Sequence, residues 1–194
     1  MASNFFAMIS RLKYIDRWAL MRNTHEENLS EHCMETACIA HALAVIGNRR
    51  FGKYYNAERA ALLGLYHDAP ETLTGDMPTP VKYYSPHIRE AYAQVEQSAC
   101  EHLVSMLPED LRADFAPVFF KDETDEELWK LVKAADKICA YIKCIEEKKA
   151  GNTEFDRAAE STLESINALD IPEAEEFMKE FLDGYRLTLD EIKE

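Results

Sequence analysis

His32, His67, Asp68 and Asp136 are the residues whose types and settings point most directly to chemistry. Each opens, closes or interrupts a run with apolar helical periodicity. His32 falls in the first turn of one run, and His67 and Asp68 stand together at the end of a second. Asp136 lies on the edge of the apolar seam of the longest, one turn from both Val132 and Ala140. A buried carboxylate is costly unless it is paired or bound to a cation. Two imidazoles and two carboxylates from three helices can converge on one divalent ion. Mixed nitrogen and oxygen donors suit first-row metals such as Mn, Fe, Co, Ni or Zn better than Ca or Mg. With no further obvious donor set, the site is mononuclear, with positions open to water. Taken as isolated residue types the alternative stays open, because a helical histidine is more often a core residue than a ligand and an adjacent His-Asp pair has little specificity.

The elements that must position these side chains read as helices. Phe5, Ile9 and Leu12 predict a short amphipathic helix over 4–15, followed by an irregular stretch to Ser30. Ser30 is the expected N-cap of a helix from 31 to about 46, ended by Gly47-Asn48. Its interior is apolar apart from His41, which reads as a core histidine. Asn56 is the expected cap of a helix over 57–68. Pro70 interrupts, since it lacks an N–H and clashes with the preceding turn. Two prolines and a glycine in 75–80 predict a loop. Ile88, Tyr92, Val95, Ala99, Leu103 and Met106 stripe a helix over 87–106, and a short one follows over 109–119. Thr124 with Glu127 matches a capping box, after which Leu128, Leu131, Val132, Ala135, Ile138, Ile142 and Ile145 trace an apolar face towards Lys149. Two more amphipathic helices fit 153–169 and 173–183. The expected fold is all-α, one domain over 1–194, with the helices from about 153 packed on the core or at a dimer interface.

Composition agrees and excludes several function classes. Gly and Pro together are 13 of 194 residues, too few for a many-stranded sandwich. The net charge is −14, which argues against a nucleic-acid polymer or an anionic membrane as partner. The excess is uneven: residues 1–108 carry 10 basic and 12 acidic side chains, and 109–194 carry 12 and 24. A small anion meets least repulsion in the first half. No apolar run reaches the roughly 20 residues needed to span a bilayer, and Met1–Ser10 lacks the marks of a secretory signal. The five cysteines, with no CxxC pair, read as buried free thiols in a reducing cytoplasm. His25, His87 and His102 are expected to face solvent, and Arg49, Arg50 and Lys53 to form a solvated basic loop.

The pattern of His32, His67-Asp68 and Asp136 resembles the H…HD…D signature of the HD-domain metal-dependent phosphohydrolases. Arg11-Leu12-Lys13, Arg17-Trp18, Leu20-Met21-Arg22-Asn23, Glu27-Asn28, Leu73-Thr74-Gly75-Asp76 and Pro78-Thr79-Pro80-Val81-Lys82-Tyr83 are more specific still. They resemble the bacterial HD-domain 5′-deoxynucleotidases of the YfbR type, over nearly the whole chain. Pro70 departs from the small polar residue expected there.

The resemblance implies an HD-type helical bundle and hydrolysis of a deoxyribonucleoside 5′-monophosphate to deoxyribonucleoside and phosphate. It implies His32, His67, Asp68 and Asp136 as ligands of one divalent transition metal, Co2+ or Mn2+ first, with Zn2+, Fe2+, Ni2+ or Cu2+ also compatible. A metal-bound water would attack phosphorus. Arg17 and Trp18 would meet the substrate, as would the Asp76–Thr79 loop with Met77 and Pro78, and Asp136 beside the metal. Glu71 would be the acid/base residue, in a catalytic set with Arg17 and Asp68. A homodimer is implied as well.

Physical chemistry gives each role a rationale and an alternative. Arg17 presents a planar fork fitted to phosphate oxygens, or is an ordinary surface arginine. Trp18 is a flat wall against base or sugar, or a core anchor. Glu71, four residues after His67, relays a proton, or is a helix-start glutamate favoured by the macrodipole. Asp76 accepts from the sugar 3′-hydroxyl, and a Pro-framed loop beside Trp18 leaves no room for a 2′-hydroxyl. Thr79 and its backbone N–H hold phosphate, or belong to simple turn chemistry. No base-edge reader stands out, which predicts broad base tolerance. The competing readings are a cyclic-nucleotide phosphodiesterase and a non-catalytic nucleotide sensor. Against the first, the chain has Ala69-Pro70-Glu71 where the HD-GYP subset has Ile/Val-Gly-Lys.

Overall fold

The computed structural model describes residues 2–82 and 84–193; Tyr83, which ends the Pro78–Tyr83 motif, lies outside them. Among the described residues there is no β-strand, only an isolated antiparallel bridge between Asp16 and Asn28. The helices are α1 Phe5–Ile9, α2 Leu29–Arg50, α3 Ala57–Tyr66, α4 Glu71–Thr74, α5 Thr79–Lys82, α6 Pro86–Ser105, α7 Glu109–Phe119, α8 Glu126–Lys149, α9 Asp156–Asn167, α10 Pro172–Phe181 and α11 Leu189–Ile192. Short 3₁₀ turns at Ser10–Tyr14, Glu123–Asp125, Thr153–Phe155 and Leu182–Arg186 join them.

The core forms where α2, α3, α8 and α10 meet. Leu43, Ala44, Leu63, Leu131, Val132, Ala135, Ile138 and Ile142 are buried there, joined by Ile166 of α9 and Phe177 of α10. Burying each large aliphatic side chain contributes about 1.5–3 kcal/mol. Gly64 sets the approach of α3 to α2. A Cβ on it would lie 2.9 Å from the Cα of Ala37, so only hydrogen lets the two backbones pack this closely. A second cluster joins Phe5, Ala69, Cys100, Leu103, Val118 and Phe119 under the chain around Pro70.

Several elements differ from the sequence expectation, each for a local reason. The first helix stops at Ile9 and tightens into the 3₁₀ turn. α2 is capped by Asn28, not Ser30: Asn28 Oδ1 accepts from Ser30 N (3.0 Å) and Glu31 N (3.2 Å), and Glu31 reaches back to Asn28 N. Gly47 does not end α2, which runs to Arg50. It lies buried in the last turn, where the Tyr55 ring occupies the place a Cβ would take, at 2.6 Å. Asp122, not Thr124, caps the turn leading into α8. Pro80 does not exclude a helix, because in α5 it occupies the first turn, where its missing N–H costs nothing.

Side chains read as buried are not all so. His41 and Cys38 are exposed on α2, and Val95 is exposed on α6, whereas the other four cysteines are buried. Arg50 is not part of a free basic loop; it pairs with Glu176 and Glu180 of α10 at 2.7 and 2.6 Å.

Candidate metal centre

The Asn28 cap fixes the start of α2, and His32 follows in its first turn, fully buried, with its N–H on Asn28 O at 3.1 Å. The close contact of Gly64 with α2 then brings the end of α3 beside it. His67 Nδ1 donates to Gly64 O at 2.7 Å, which leaves Nε2 pointing at His32. α3 cannot continue through Pro70, so the chain turns. Ala69 is buried in the second cluster, Asp68 O accepts from Glu71 N, and the Asp68 carboxylate folds back on the two imidazoles.

Four donor atoms converge. His32 Nε2 lies 3.3 Å from His67 Nε2, 3.4 Å from Asp68 Oδ2 and 3.2 Å from Asp136 Oδ1, and His67 Nε2 lies 3.1 Å from Asp68 Oδ2. The donor atoms of His32, His67 and Asp68 all lie within 4.8 Å of one another, and Asp136 joins them through His32 from the third helix. Neutral imidazole nitrogens with carboxylate oxygens fit a first-row divalent ion. Burial alone would raise the Asp68 and Asp136 carboxyls. The imidazoles outweigh it and hold Asp68 well below the ordinary range and Asp136 below it. Burial opposes charge on His67 too, but Asp68 lifts its pKa well above 6.5.

Arg17 closes one side. The bridge between Asp16 and Asn28 lays residues 15–17 along 27–29, with Arg17 N on Glu27 O and Leu29 N on Ile15 O. Arg17 Nη1 then donates to Glu27 Oε1 at 2.6 Å and lies 2.9 Å from His32 Nδ1, while Nη2 is 3.8 Å from Asp136 Oδ1. Burial works against its charge, yet Glu27, Asp136 and Asp68 together keep it firmly protonated. Trp18 follows with φ +59°, a left-handed conformation that costs a non-glycine residue about 1–2 kcal/mol. Met21 N and Asn23 Nδ2 both donate to its carbonyl, and its ring stands edge-on to Phe155 at 5.3 Å.

On the other side, Glu71 opens α4 on a new turn after Pro70. It is buried, and its Oε2 has no hydrogen-bond partner. Burial, with help from Asp68 and Asp76, pushes its carboxyl up to about 9, so it holds its proton at neutral pH. Burial also raises Asp76, against the pull of Arg17. Met77 and Pro78 are half-buried, and Thr79 is exposed at the start of α5.

A sequence model of the family described as 5′-deoxynucleotidase YfbR-like matches residues 4–185. Curated relatives include the 5′-deoxynucleotidase yfbR of Photorhabdus temperata, 50% identical over 98% of this chain and 96% of that protein. The 5′-deoxynucleotidase YfbR of Escherichia coli (strain SMS-3-5 / SECEC) is also 50% identical, over 99% and 96%. The chain belongs to the YfbR-like 5′-deoxynucleotidase family. Solved structures agree on the fold of this YfbR-like enzyme. An HD-domain phosphohydrolase from Listeria innocua superposes with a TM-score of 0.80 at 24% identity, covering 98% of this chain and 91% of that one. A cyanophage S-2L HD phosphohydrolase, described as bound to dA and one catalytic Zn2+ ion, gives 0.63 at 22% identity, covering 94% and 96%.

Groups outside the expected site set hold the segment that carries Arg17. Glu27 was visible only as part of a motif, yet its carboxylate holds the Arg17 guanidinium. Lys143 and Glu147 gave no such signal: at i, i+4 beside the apolar seam they read as a surface ion pair, yet both are buried.

Proposed function

We propose that this YfbR-like hydrolase cleaves deoxyribonucleoside 5′-monophosphates at the centre formed by His32, His67, Asp68 and Asp136, with one bound divalent transition ion. The convergence of those four donors beside a buried, charge-held Arg17 is the observation that carries the reading. Such an ion, when bound, lowers the pKa of a coordinated water and withdraws charge from a phosphoryl group. Co2+ or Mn2+ is the preferred occupant; the Zn2+ of the cyanophage relative supports a single-ion site.

Arg17 gives Nη1 to Glu27 and keeps further N–H groups for phosphate oxygens, which matters in a chain of net charge −14. Glu71, which burial holds protonated at neutral pH in the ion-free site, would supply the proton that the leaving 5′ oxygen needs. Trp18 serves as a wall for base or sugar. Asp76 accepts the 3′-hydroxyl, and Met77, Pro78 and Thr79 frame the loop that excludes a 2′-hydroxyl. The dA described in the cyanophage relative supports a deoxyribose ligand.

The reading extends to a cytoplasmic homodimer in which each chain, 1–194, is one catalytic unit. Met34, Cys38, His41 and Val45 form an exposed stripe along α2, at helical spacing, which supports a second copy as partner. Light scattering on the wild type and on Met34→Glu/Val45→Glu tests it: a dimer that becomes monomeric supports this face, and a wild-type monomer overturns it.

The deciding experiment is phosphate release from dAMP and AMP by metal-stripped protein with Co2+, Mn2+, Zn2+ or Mg2+ restored singly. Metal-dependent release from dAMP, with little from AMP, is the expected result. No release with any ion, despite stoichiometric metal binding, overturns the reading in favour of a cyclic-nucleotide or sensor role.

A further inference from the structure

A buried polar network lies outside the four-donor centre and is tied to it by one helix. Glu147 of α8 is 1% exposed, and its carboxylate accepts from Thr24 N at 3.0 Å, Thr24 Oγ1 at 2.7 Å and Asn152 Nδ2 at 2.7 Å. Lys143, also buried, donates to Glu147 Oε1 and to His25 O. Asn152 Nδ2 also donates to Arg22 O at 2.7 Å. The network therefore grips the backbone of residues 22, 24 and 25 from α8 and the turn that follows it.

That backbone belongs to the segment carrying Arg17, Trp18 and Glu27. Asp136, Lys143 and Glu147 follow one another at helical spacing along a single face of α8. The helix thus places a fixed rise of about 16 Å between the candidate ligand and the grip. Phe155 completes the link: Lys143 Nζ lies 5.7 Å from the centre of its ring, and Trp18 stands edge-on to the same ring. Trp18 holds a left-handed φ, a conformation that persists only where its surroundings enforce it.

We infer that Lys143, Glu147 and Asn152 are positioning residues that strap the Arg17–Asn28 segment to the helix bearing Asp136 and so set substrate affinity. The inference rests on the proposed roles of Arg17 and Trp18 in binding the nucleotide. A buried ion pair is weak evidence of stabilisation in itself, since a packed apolar pair often does as well. Its use here is that three side chains fix the register of a strained loop.

The test is the double variant Lys143→Met/Glu147→Leu, which leaves neither charge buried without a partner. Lys143→Met/Glu147→Gln, which keeps an acceptor for Thr24 N and likewise leaves no charge buried alone, serves as the conservative comparison. All are made in a Trp129→Phe background so that emission reports Trp18. We expect KM for dAMP to rise about tenfold in Lys143→Met/Glu147→Leu, with kcat changed less than threefold and the Co2+ titration unaltered. Trp18 emission moves to the red, and Lys143→Met/Glu147→Gln recovers much of both effects. If Lys143→Met/Glu147→Leu does not fold, Thr24→Val and Asn152→Ala carry the same readouts at smaller size. Wild-type KM and unshifted Trp18 emission, with only the melting temperature lowered, overturn the strap and leave the nucleotidase reading intact. Absence of phosphate release by the wild type overturns that reading first and the strap with it.

Discussion

Arg17 Nη1 lies 2.9 Å from His32 Nδ1, so a candidate phosphate-binding group and a candidate metal ligand share one contact. A guanidinium has no lone pair, so Nδ1 accepts in this arrangement, whereas a His32 that ligates through Nε2 would carry its proton on Nδ1, towards Glu27 Oε1 at 3.7 Å, and give up the Arg17 contact. Glu27 holds the same guanidinium at 2.6 Å. Arg17→Lys keeps a charge but cannot bridge Glu27 and a phosphate together. It is expected to lower kcat/KM for dAMP about 100-fold while Co2+ affinity changes less than tenfold. Steady-state kinetics with a parallel metal titration checks this. Loss of metal affinity equal to the loss of turnover would reassign Arg17 to holding His32.

Proton release is the second expectation. Asp68 keeps the His67 pKa well above 6.5, so the ion-free protein carries an extra proton there at neutral pH, and a cation bound at Nε2 must displace it. Metal affinity therefore rises with pH until His67 loses its proton unaided, and metal uptake acidifies the medium. Calorimetric titration with Co2+ at one pH, in buffers of different ionisation enthalpy, measures the proton count. A heat independent of buffer would mean that His67 is already neutral.

Glu71 makes a prediction on stability with a definite sign. Its native carboxyl titrates at about 9, against 4.5 for an ordinary glutamate, chiefly because it is buried. The native state holds a proton that the unfolded chain gives up across that window, so stability falls as pH rises from about 4.5 to 9. Glu71→Gln removes the dependence. Between pH 5.5 and 8.5 the metal-free variant should gain on the wild type by about 4 kcal/mol, roughly 12 °C at this chain length. Melting curves at several pH values read this directly, and a difference flat with pH would show that Glu71 does not titrate there. The same variant is expected to lose at least 100-fold in kcat with Co2+ binding unchanged.

What the residues disclosed in advance divides along physical lines. The long apolar seam of α8 and the break at Pro70 were legible because periodicity and a missing N–H are local properties. The Asn28 cap was not, because Ser30 offers the same chemistry two residues on and only the geometry of the Asp16–Asn28 bridge decides between them. Gly47 read as a helix stop, yet it is needed where Tyr55 crosses α2, a contact no window of sequence contains. His41 sat among apolar neighbours and still faces outward, since such a helix shows which residues are apolar but not which face is covered. At the centre, His32, His67-Asp68 and Asp136 stood out by residue type and motif. Their convergence depends on Gly64, whose role is invisible until α2 and α3 are packed.

Gly64 therefore carries the most direct test of how the centre is assembled. A methyl group there would meet the Ala37 Cα at 2.9 Å and Ala37 N at 3.1 Å, both backbone atoms that cannot rotate away. α3 must move off α2 to admit it. That shift acts three residues before His67, whose Nδ1 hydrogen bond is to the Gly64 carbonyl itself. Overpacking of this kind costs about 1–3 kcal/mol, which corresponds to a fall of roughly 2–12 °C in melting temperature. The displacement separates His67 Nε2 from His32 Nε2, now 3.3 Å apart, so Co2+ affinity should fall at least tenfold even below the melting transition. Gly64→Ser is expected to do worse than Gly64→Ala, being larger. Circular dichroism melts with Co2+ absorption titrations on both variants settle it. A variant that melts early yet binds Co2+ like the wild type would show that the His32–His67 approach is set elsewhere.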